Sequence, residues 1–225
     1  SGQVNFSVPG LGLCVAFSPD GKWLASGSSG GEVKVWDATN GRETLSLERH
    51  TGDVSSVAFS PDGNWLASAG GFREATVRVW NVLDGQQILS MKGQPSSWGF
   101  SSVSYSRDGK WLASATGNGN SVIVWDAMTG EEIRKLKGLN GHVAGAVFSP
   151  DGNRLALFGA GSSVRTVSTD QEVYTLGEYS NGIAFSPNGR WIASASGSRV
   201  KMWDAMSGQK MLSLVGHKPL TVKHV

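Results

Sequence analysis

Phe17-Ser18-Pro19-Asp20-Gly21, followed by Trp23-Leu24-Ala25-Ser26 and Val33-Lys34-Val35-Trp36-Asp37, decides the fold because the whole stretch recurs. Its first part returns as Phe59 to Gly63, Phe148 to Gly152 and, with Asn188 in place of Asp, Phe185 to Gly189. Tyr105-Ser106-Arg107-Asp108-Gly109 is a variant of the same turn. The closing glycines stand at 21, 63, 109, 152 and 189, at intervals of 42, 46, 43 and 37. After each comes WLAS or a relative of it: Trp65 to Ser68, Trp111 to Ser114, Arg154 to Leu157 and Trp191 to Ser194. Next come VRVWN at 77–81, VIVWD at 122–126, a degraded VRTVS at 164–168 and VKMWD at 200–204. A short fourth run (ETLSL, QILSM, EIRKL, EVYTL, KMLSL) closes each unit.

Each unit therefore holds four strand-like runs, here called a, b, c and d. They are too short and too often broken by Gly to be helices of ten or more residues. The junctions carry turn chemistry. In SPDG, Pro pre-sets φ, Asp bonds its own backbone and Gly takes the left-handed position. In DATNGRE, NVLDGQQ and DAMTGEE, an Asx residue after strand c precedes a Gly-centred hairpin. Five antiparallel units of about 40–45 residues predict an all-β propeller of four-stranded blades. Stacked blades bury both faces of every sheet, with strand a innermost. The Trp of strand c (Trp36, Trp80, Trp125 and Trp203) is expected to fill the wider gap farther out, burying roughly 200 Å² per ring.

The Trp-Asp pairs at 36–37, 125–126 and 203–204, the SPDG turns, and His50 and His217 ahead of a new strand a resemble the WD-repeat family. The resemblance runs over almost the whole chain. It implies a β-propeller, usually of seven blades, acting mainly as a protein-interaction platform, and a structural role for Asp37, Asp126 and Asp204 beside the four Trp residues. Many blades of that family carry an Asp in the b–c turn that bonds the histidine and supports a Ser-Trp network. The turns here read GSSGGE, GGFREAT, TGNGNS and SGSR, with no Asp. By that pattern His50, His142 and His217 are left without their partner. The fourth unit has Arg154 and Val167 where the others have Trp, and poorer packing is expected there.

Composition narrows the function. A formal net charge of +2, with Lys and Arg scattered, argues against a nucleic-acid or acidic-membrane footprint. The one cysteine, Cys14, lies in the apolar run LGLCVAF and reads as a buried inert thiol. No run of about eighteen apolar residues exists to span a bilayer. The N-terminus lacks the layout of a signal peptide, so a cytoplasmic location is the default. Asn5-Phe6-Ser7 fits the glycosylation pattern, a short motif of low specificity.

No catalytic, cofactor or metal constellation emerges, and neither an enzyme nor a cofactor is expected. Gly27-Ser28-Ser29-Gly30-Gly31 matches G-x-S-x-G but lies at a hairpin tip rather than a strand-to-helix elbow. His50, His142 and His217 share one repeat position on different blades and do not converge on an ion. A non-catalytic scaffold or sensor module binding a protein through its loop face is the expected function. A carbohydrate- or small-ligand-binding propeller is the alternative, although Asn118 and Asn120 have no counterparts in other units. An enzyme with a central-channel site ranks third. The second unit carries the best clue. Its b–c turn is lengthened by Gly71-Phe72-Arg73-Glu74, and the following d–a connection, 93–100, is longer than average. Both loops leave the same end of the blade, which brings Phe72, Arg73 and Trp98 together. Aromatic and Arg side chains free of repeat duties suit an interface hot spot. The other reading is that Phe72 and Trp98 simply staple the two loops. Arg49, Tyr179, Glu178 and Arg199 hold comparable loop positions.

Read as one propeller region over 1–225, the chain has a d-like run (GQVNFSV) before its first strand a and the start of another a (GHKPLTVKHV) at its end. Three readings stay open: part of a longer propeller, a ring completed by another copy or another chain, or five blades closing alone.

Overall fold

The computed structural model describes residues 12–72, 74–93, 98–117, 121–137 and 141–215. These residues form five four-stranded antiparallel sheets and no helix. Blade 1 comprises β1 (Gly12–Phe17), β2 (Trp23–Ser28), β3 (Val33–Asp37) and β4 (Glu43–Ser46). Blade 2 comprises β5 (Val54–Phe59), β6 (Trp65–Gly70), β7 (Thr76–Asn81) and β8 (Gln87–Lys92). Blade 3 is built from β9 (Phe100–Tyr105), β10 (Trp111–Thr116), β11 (Val122–Asp126) and β12 (Glu132–Leu136). Blade 4 follows with β13 (Val143–Phe148), β14 (Arg154–Gly159), β15 (Ser163–Thr166) and β16 (Glu172–Thr175). Blade 5 ends the series with β17 (Gly182–Phe185), β18 (Trp191–Ser196), β19 (Arg199–Asp204) and β20 (Lys210–Val215). Strands pair in sequence order within every sheet, so each blade is a plain meander. By contacts the chain divides into two compact units, Ser1–Val103 and Ser104–Val225.

The recurring turn sequence is explained by one hydroxyl. Ser18 Oγ donates to Asp20 Oδ1 at 2.6 Å and accepts the Trp23 backbone N–H at 2.9 Å, closing the a–b turn. The same pair of bonds recurs at Ser60, Ser106, Ser149 and Ser186. The Ser18 hydroxyl and then the Lys22 backbone N–H hold the Asp20 carboxyl down to about 2. At the other turn, the Asp of Trp-Asp caps the c–d hairpin. Asp126 Oδ1 accepts the N–H groups of Met128 and Thr129, both at 2.9 Å, and Asp204 does the same for Met206 and Ser207.

Each sheet has two apolar faces. In unit 1, Ala25, Val33, Val35 and Leu47 on the trailing face of blade 1 pack against Val57, Phe59 and Leu66 on the leading face of blade 2. In unit 2, Val122, Val124 and Leu136 of blade 3 meet Ala146, Phe148 and Leu155 of blade 4 in the same way. Blade 4 in turn presents Ala156, Val164 and Leu176 to Ile183, Ile192 and Trp203 of blade 5. Side chains alternate along a strand, so one strand supplies both seams.

Blade 4 corrects the sequence reading. Arg154 does stand where the others have their first Trp, but Val167 does not hold the place of the second. Leu155 pairs with Arg165 as Leu24 pairs with Trp36, so Arg165 takes the Trp position and Thr166 the Asp position. The letters VRTVS align two residues out of register, and a two-residue slip leaves every side chain on the face it had before. Apolar patterning is blind to such a slip. Asp170 consequently occupies the Gly position of the c–d hairpin. It has φ 59, the one positive φ at a non-Gly residue among those described. Its carboxylate accepts from Arg165 Nη1 at 2.6 Å.

The seams on both sides of blade 4 are buried all the same, against the expectation of poorer packing. The reason lies in a second substitution. Leu157 takes the place of the strand-b Ser that elsewhere bonds the Trp indole. The indole donor and the serine acceptor are lost together, so neither is left without the other, although the Arg165 Nε that replaces them is buried without a hydrogen-bond partner among the described residues. Leu136, fully buried in the seam between blades 3 and 4, and Ile133, half exposed on the same strand, test this architecture. Leu136→Ala is expected to cost about 2–5 kcal/mol in denaturant unfolding, and Ile133→Ala no more than about 0.5 kcal/mol.

Candidate functional site

In an antiparallel meander the a–b and c–d turns share one end of the blade, and the b–c and d–a loops share the other. At that second end of blade 2 the structure builds a layer of polar contacts, and its centre is Glu74. This side chain is buried. Its Oε2 accepts the backbone N–H of Thr51, the Thr51 hydroxyl at 3.1 Å and the Gly52 N–H at 3.2 Å. Its Oε1 lies 3.0 Å from His50 Nδ1 and accepts from Arg78 Nη2 at 3.2 Å. Arg78 also donates through Nη1 to the Arg49 carbonyl at 3.1 Å and stacks over the Trp80 ring.

From Glu74 a chain of polar groups runs inward. His50 Nε2 is 2.7 Å from Ser68 Oγ, and Trp80 Nε1 donates to the same Oγ at 2.8 Å. The Glu74 carboxylate beside Nδ1 can only accept, so Nδ1 of a neutral His50 carries the ring proton and Nε2 accepts from Ser68, which in turn accepts from the indole N–H. The network judged incomplete for want of an Asp is therefore present at His50, built with Glu74. Glu is one methylene longer than Asp, and the lengthened b–c turn of blade 2 sets it back far enough to reach the histidine. The signal was in the sequence: a lone acidic residue inside the one expanded turn.

Other blades keep less of this chain. Trp36, Trp125 and Trp203 are buried and donate to Ser26, Ser114 and Ser194 at 2.8–2.9 Å. His142 is exposed, and its Nε2 lies 2.7 Å from the Gly117 carbonyl rather than a serine. His217 lies outside the described residues.

Burial lowers the proton affinity of His50, and the Glu74 charge offsets this only in part. Burial alone would raise Glu74. The facing His50 and the N–H groups of Gly52 and Thr51 outweigh it and hold the carboxyl below its ordinary range. Both groups bind protons more weakly in the folded chain than in the unfolded one.

Above this layer lie the aromatic candidates. Phe72 and Trp98 meet edge to face, ring centroids 5.8 Å apart at 67°. Both nevertheless stay about half exposed. The backbones beneath them approach so closely that side chains are excluded. A Cβ on Gly52 would fall 2.1 Å from the Phe72 carbonyl oxygen. Gly99, with φ +58, would place one 1.8 Å from the oxygen of Gly71. Arg73 and residues 94–97 lie outside the described residues. Arg49 is exposed in the blade 1 to blade 2 connection and ion-pairs with Glu32, a surface contact worth little. In unit 2, Tyr179 is exposed in the connection to blade 5, and Arg199 is exposed at the first position of β19. Glu178 of the same connection ion-pairs with Lys201. Cys14 donates to the Val54 carbonyl, and burial pushes its thiol up to about 11, far from a reactive thiolate. Among the described residues no helix is long and apolar enough to cross a membrane.

Glu74→Gln is expected to cost about 2–4 kcal/mol, because it removes the charge from a buried, fully engaged carboxylate. The wild-type contribution of this pair should be complete above the ordinary His value of 6.5. It should be lost as pH falls through the depressed His50 pKa, and further below the ordinary Glu value of 4.5. Urea unfolding over a series of pH values reads both; a stability that rises on acidification would contradict the assignment.

Comparison with known proteins follows the same repeat. The family model described as "WD domain, G-beta repeat" matches residues 9–37, 41–81, 85–126 and 161–204. The unmatched stretch before the last match contains β12 of blade 3 and β13 and β14, the first half of the blade that lacks Trp. "Periodic tryptophan protein 2" of Arabidopsis thaliana is 28% identical over 92% of this chain and 23% of its own length. "Nuclear distribution protein PAC1" of Arthroderma otae is 27% identical over 90% of this chain and 51% of its own length. An uncharacterised WD repeat-containing protein of Nostoc sp. reaches 46% identity over 24% of this chain. The chain thus spans between about a quarter and about half the length of the two relatives that it matches nearly end to end.

Proposed function

The chain belongs to the WD-repeat family, and on that premise we propose that it is a non-catalytic interaction module that engages a protein through the b–c and d–a loop face of its blades. The observation that carries this reading is the Phe72–Trp98 pair. Two large aromatic side chains are held half exposed on backbone that is locked from below. Rigid aromatic anchors lose little conformational entropy on binding, which is what makes Trp so frequent among interface hot spots.

The edge-to-face contact serves this role as well as a stapling one. A ring pair of this kind contributes about 0.5–1.5 kcal/mol beyond its area, yet the described backbone beneath Phe72 is already fastened. Gly71 N–H donates to the Asp53 carbonyl at 2.6 Å, Glu74 N–H to Gly71 at 3.0 Å and Gly93 N–H to Ala75 at 2.8 Å. A staple has little left to fasten. Arg49 and Arg73 are proposed as cationic contact residues, with Tyr179 and Arg199 as further contacts.

Trp98→Ala decides between contact and staple. Binding of a protein partner, measured by titration calorimetry on the purified pair, should weaken by about 30-fold or more, equivalent to a hot spot of at least about 2 kcal/mol. Thermal unfolding of the free chain should fall by no more than about 1–6 °C, the loss of the ring contact alone. Unchanged affinity, or loss of binding matched by an equal loss of stability, would overturn the proposal.

A further inference from the structure

The pattern Phe-Ser-Pro-Asp-Gly-x-Trp that forms each a–b turn is broken at four positions: Tyr105 for Phe, Arg107 for Pro, Arg154 for Trp and Asn188 for Asp. All four fall in one place. Arg107, Arg154 and Asn188 line a cleft of about 290 Å³ together with Ser149, Asp151 and Pro187. Tyr105 lines a second, of about 540 Å³, with Val147, Phe148, Ile183 and Phe185. Arg107, Ser149, Pro150 and Pro187 border both, so the two form one groove over the a–b turns of blades 3, 4 and 5. Every one of these residues belongs to unit 2.

The three substitutions in the smaller cleft act in one direction. Pro to Arg and Trp to Arg each add a positive charge, and Asp to Asn removes a negative one. Both guanidiniums are anchored to carbonyls. Arg107 Nη1 donates to the Pro187 oxygen at 3.0 Å. Arg154 Nη1 donates to the Ala205 oxygen, which also accepts from the Tyr174 hydroxyl at 2.8 Å. A carbonyl fixes such a side chain without cancelling its charge, and the guanidinium keeps further donors for a planar, two-oxygen anion. Asp151 is the one acid among the lining residues, and its Oδ1 is already held by Ser149 Oγ and the Asn153 N–H. Two cations against one anion leave a single net positive charge. The a–b turns of unit 1 have the opposite balance, Lys22 against Asp20 and Asp62.

We infer that this groove binds a peptide carboxylate flanked by a large apolar side chain, the carboxylate at Arg107 and Arg154 and the apolar group against Tyr105 and Phe185. One net positive charge suits a monoanion, whereas a phosphate ester brings about 1.5–2 negative charges. The carboxylate can belong to an Asp or Glu side chain or to a chain terminus, since both offer the same two oxygens. The groove lies at the a–b turn end of its blades, not at the b–c and d–a loop end, and does not rest on the function proposed above.

The test is an NMR titration of the purified chain, read at the Nε–Hε signals of Arg107 and Arg154. Four short peptides serve as probes: Phe-Asp internal with both ends blocked, a free C-terminal Phe, Phe-Asn with both ends blocked, and Phe-phosphoserine with both ends blocked. At least one of the two carboxylate peptides should saturate the site, and the tighter of them identifies side chain or terminus as the source. The Phe-Asn peptide should bind at least about 10-fold more weakly. Arg107→Pro and Asn188→Asp restore residues that the repeat carries elsewhere, and each removes one unit of positive charge from the cleft. Each should weaken carboxylate binding by about 10-fold, with thermal unfolding of the free chain changed by less than about 4 °C. Asn188 is exposed and nearly isosteric with Asp, so that variant reads the charge without a change of shape. Saturation by neither carboxylate peptide would overturn the inference. So would equal binding of the Phe-Asn peptide, tighter binding of the phosphoserine peptide, which marks a dianion site, or wild-type affinity in Asn188→Asp.

Discussion

A four-stranded sheet that carries apolar side chains on both faces has no stable existence in water by itself. Every other feature of this chain answers to that constraint. Val33, Val35 and Leu47 point one way from blade 1, and the next blade must supply Val57, Phe59 and Leu66 to meet them. Burial of each such aliphatic side chain stabilises by about 1.5–3 kcal/mol, but only once two blades are side by side. The repeat is thus the smallest unit of sequence and the seam the smallest unit of stability.

The constraint also governs where polar groups can go. An indole large enough to fill the outer part of a seam brings an N–H that has to be satisfied there, and a strand-b serine satisfies it in four blades. In blade 2 that serine is linked through His50 to Glu74, and Glu74 gathers the backbone N–H groups of the loop above. One continuous path of hydrogen bonds and the His50–Glu74 ion pair therefore joins the packed seam to the loop that carries Phe72.

Much of this was legible in the sequence because period and turn chemistry are local signals. Ser-Pro-Asp-Gly marks its turn wherever it occurs, and the Trp of strand c could be placed on the seam from alternation alone. Three things were missed. The partner of His50 was sought as an Asp, and the longer reach of Glu74 from an expanded turn is a three-dimensional fact. The register of β15 was misread because alternation repeats every two residues, so Val164 fits either of two places equally well. Counting back from Glu172 of strand d, which stands seven residues after the Trp position as Glu43 does, gives Arg165 directly. The half-exposed state of Phe72 and Trp98 had no sequence signal, since it depends on how closely Gly52 and Gly99 let two backbones approach.

The exchange in blade 4 has a consequence for how the repeats can vary. Arg165 and Leu157 replace a Trp and a Ser that hold each other through one hydrogen bond, and neither replacement is benign alone. A Trp facing Leu157 would carry an N–H with no acceptor, and an unmatched serine would leave its hydroxyl stranded in an apolar seam. The two positions behave as a single letter of two characters, about ten residues apart in the chain and adjacent in space. Changing one without the other leads through a less stable molecule. A blade that has crossed to the Arg-Leu state is therefore separated from its neighbours by a barrier in sequence space, although all five keep the same four-stranded meander.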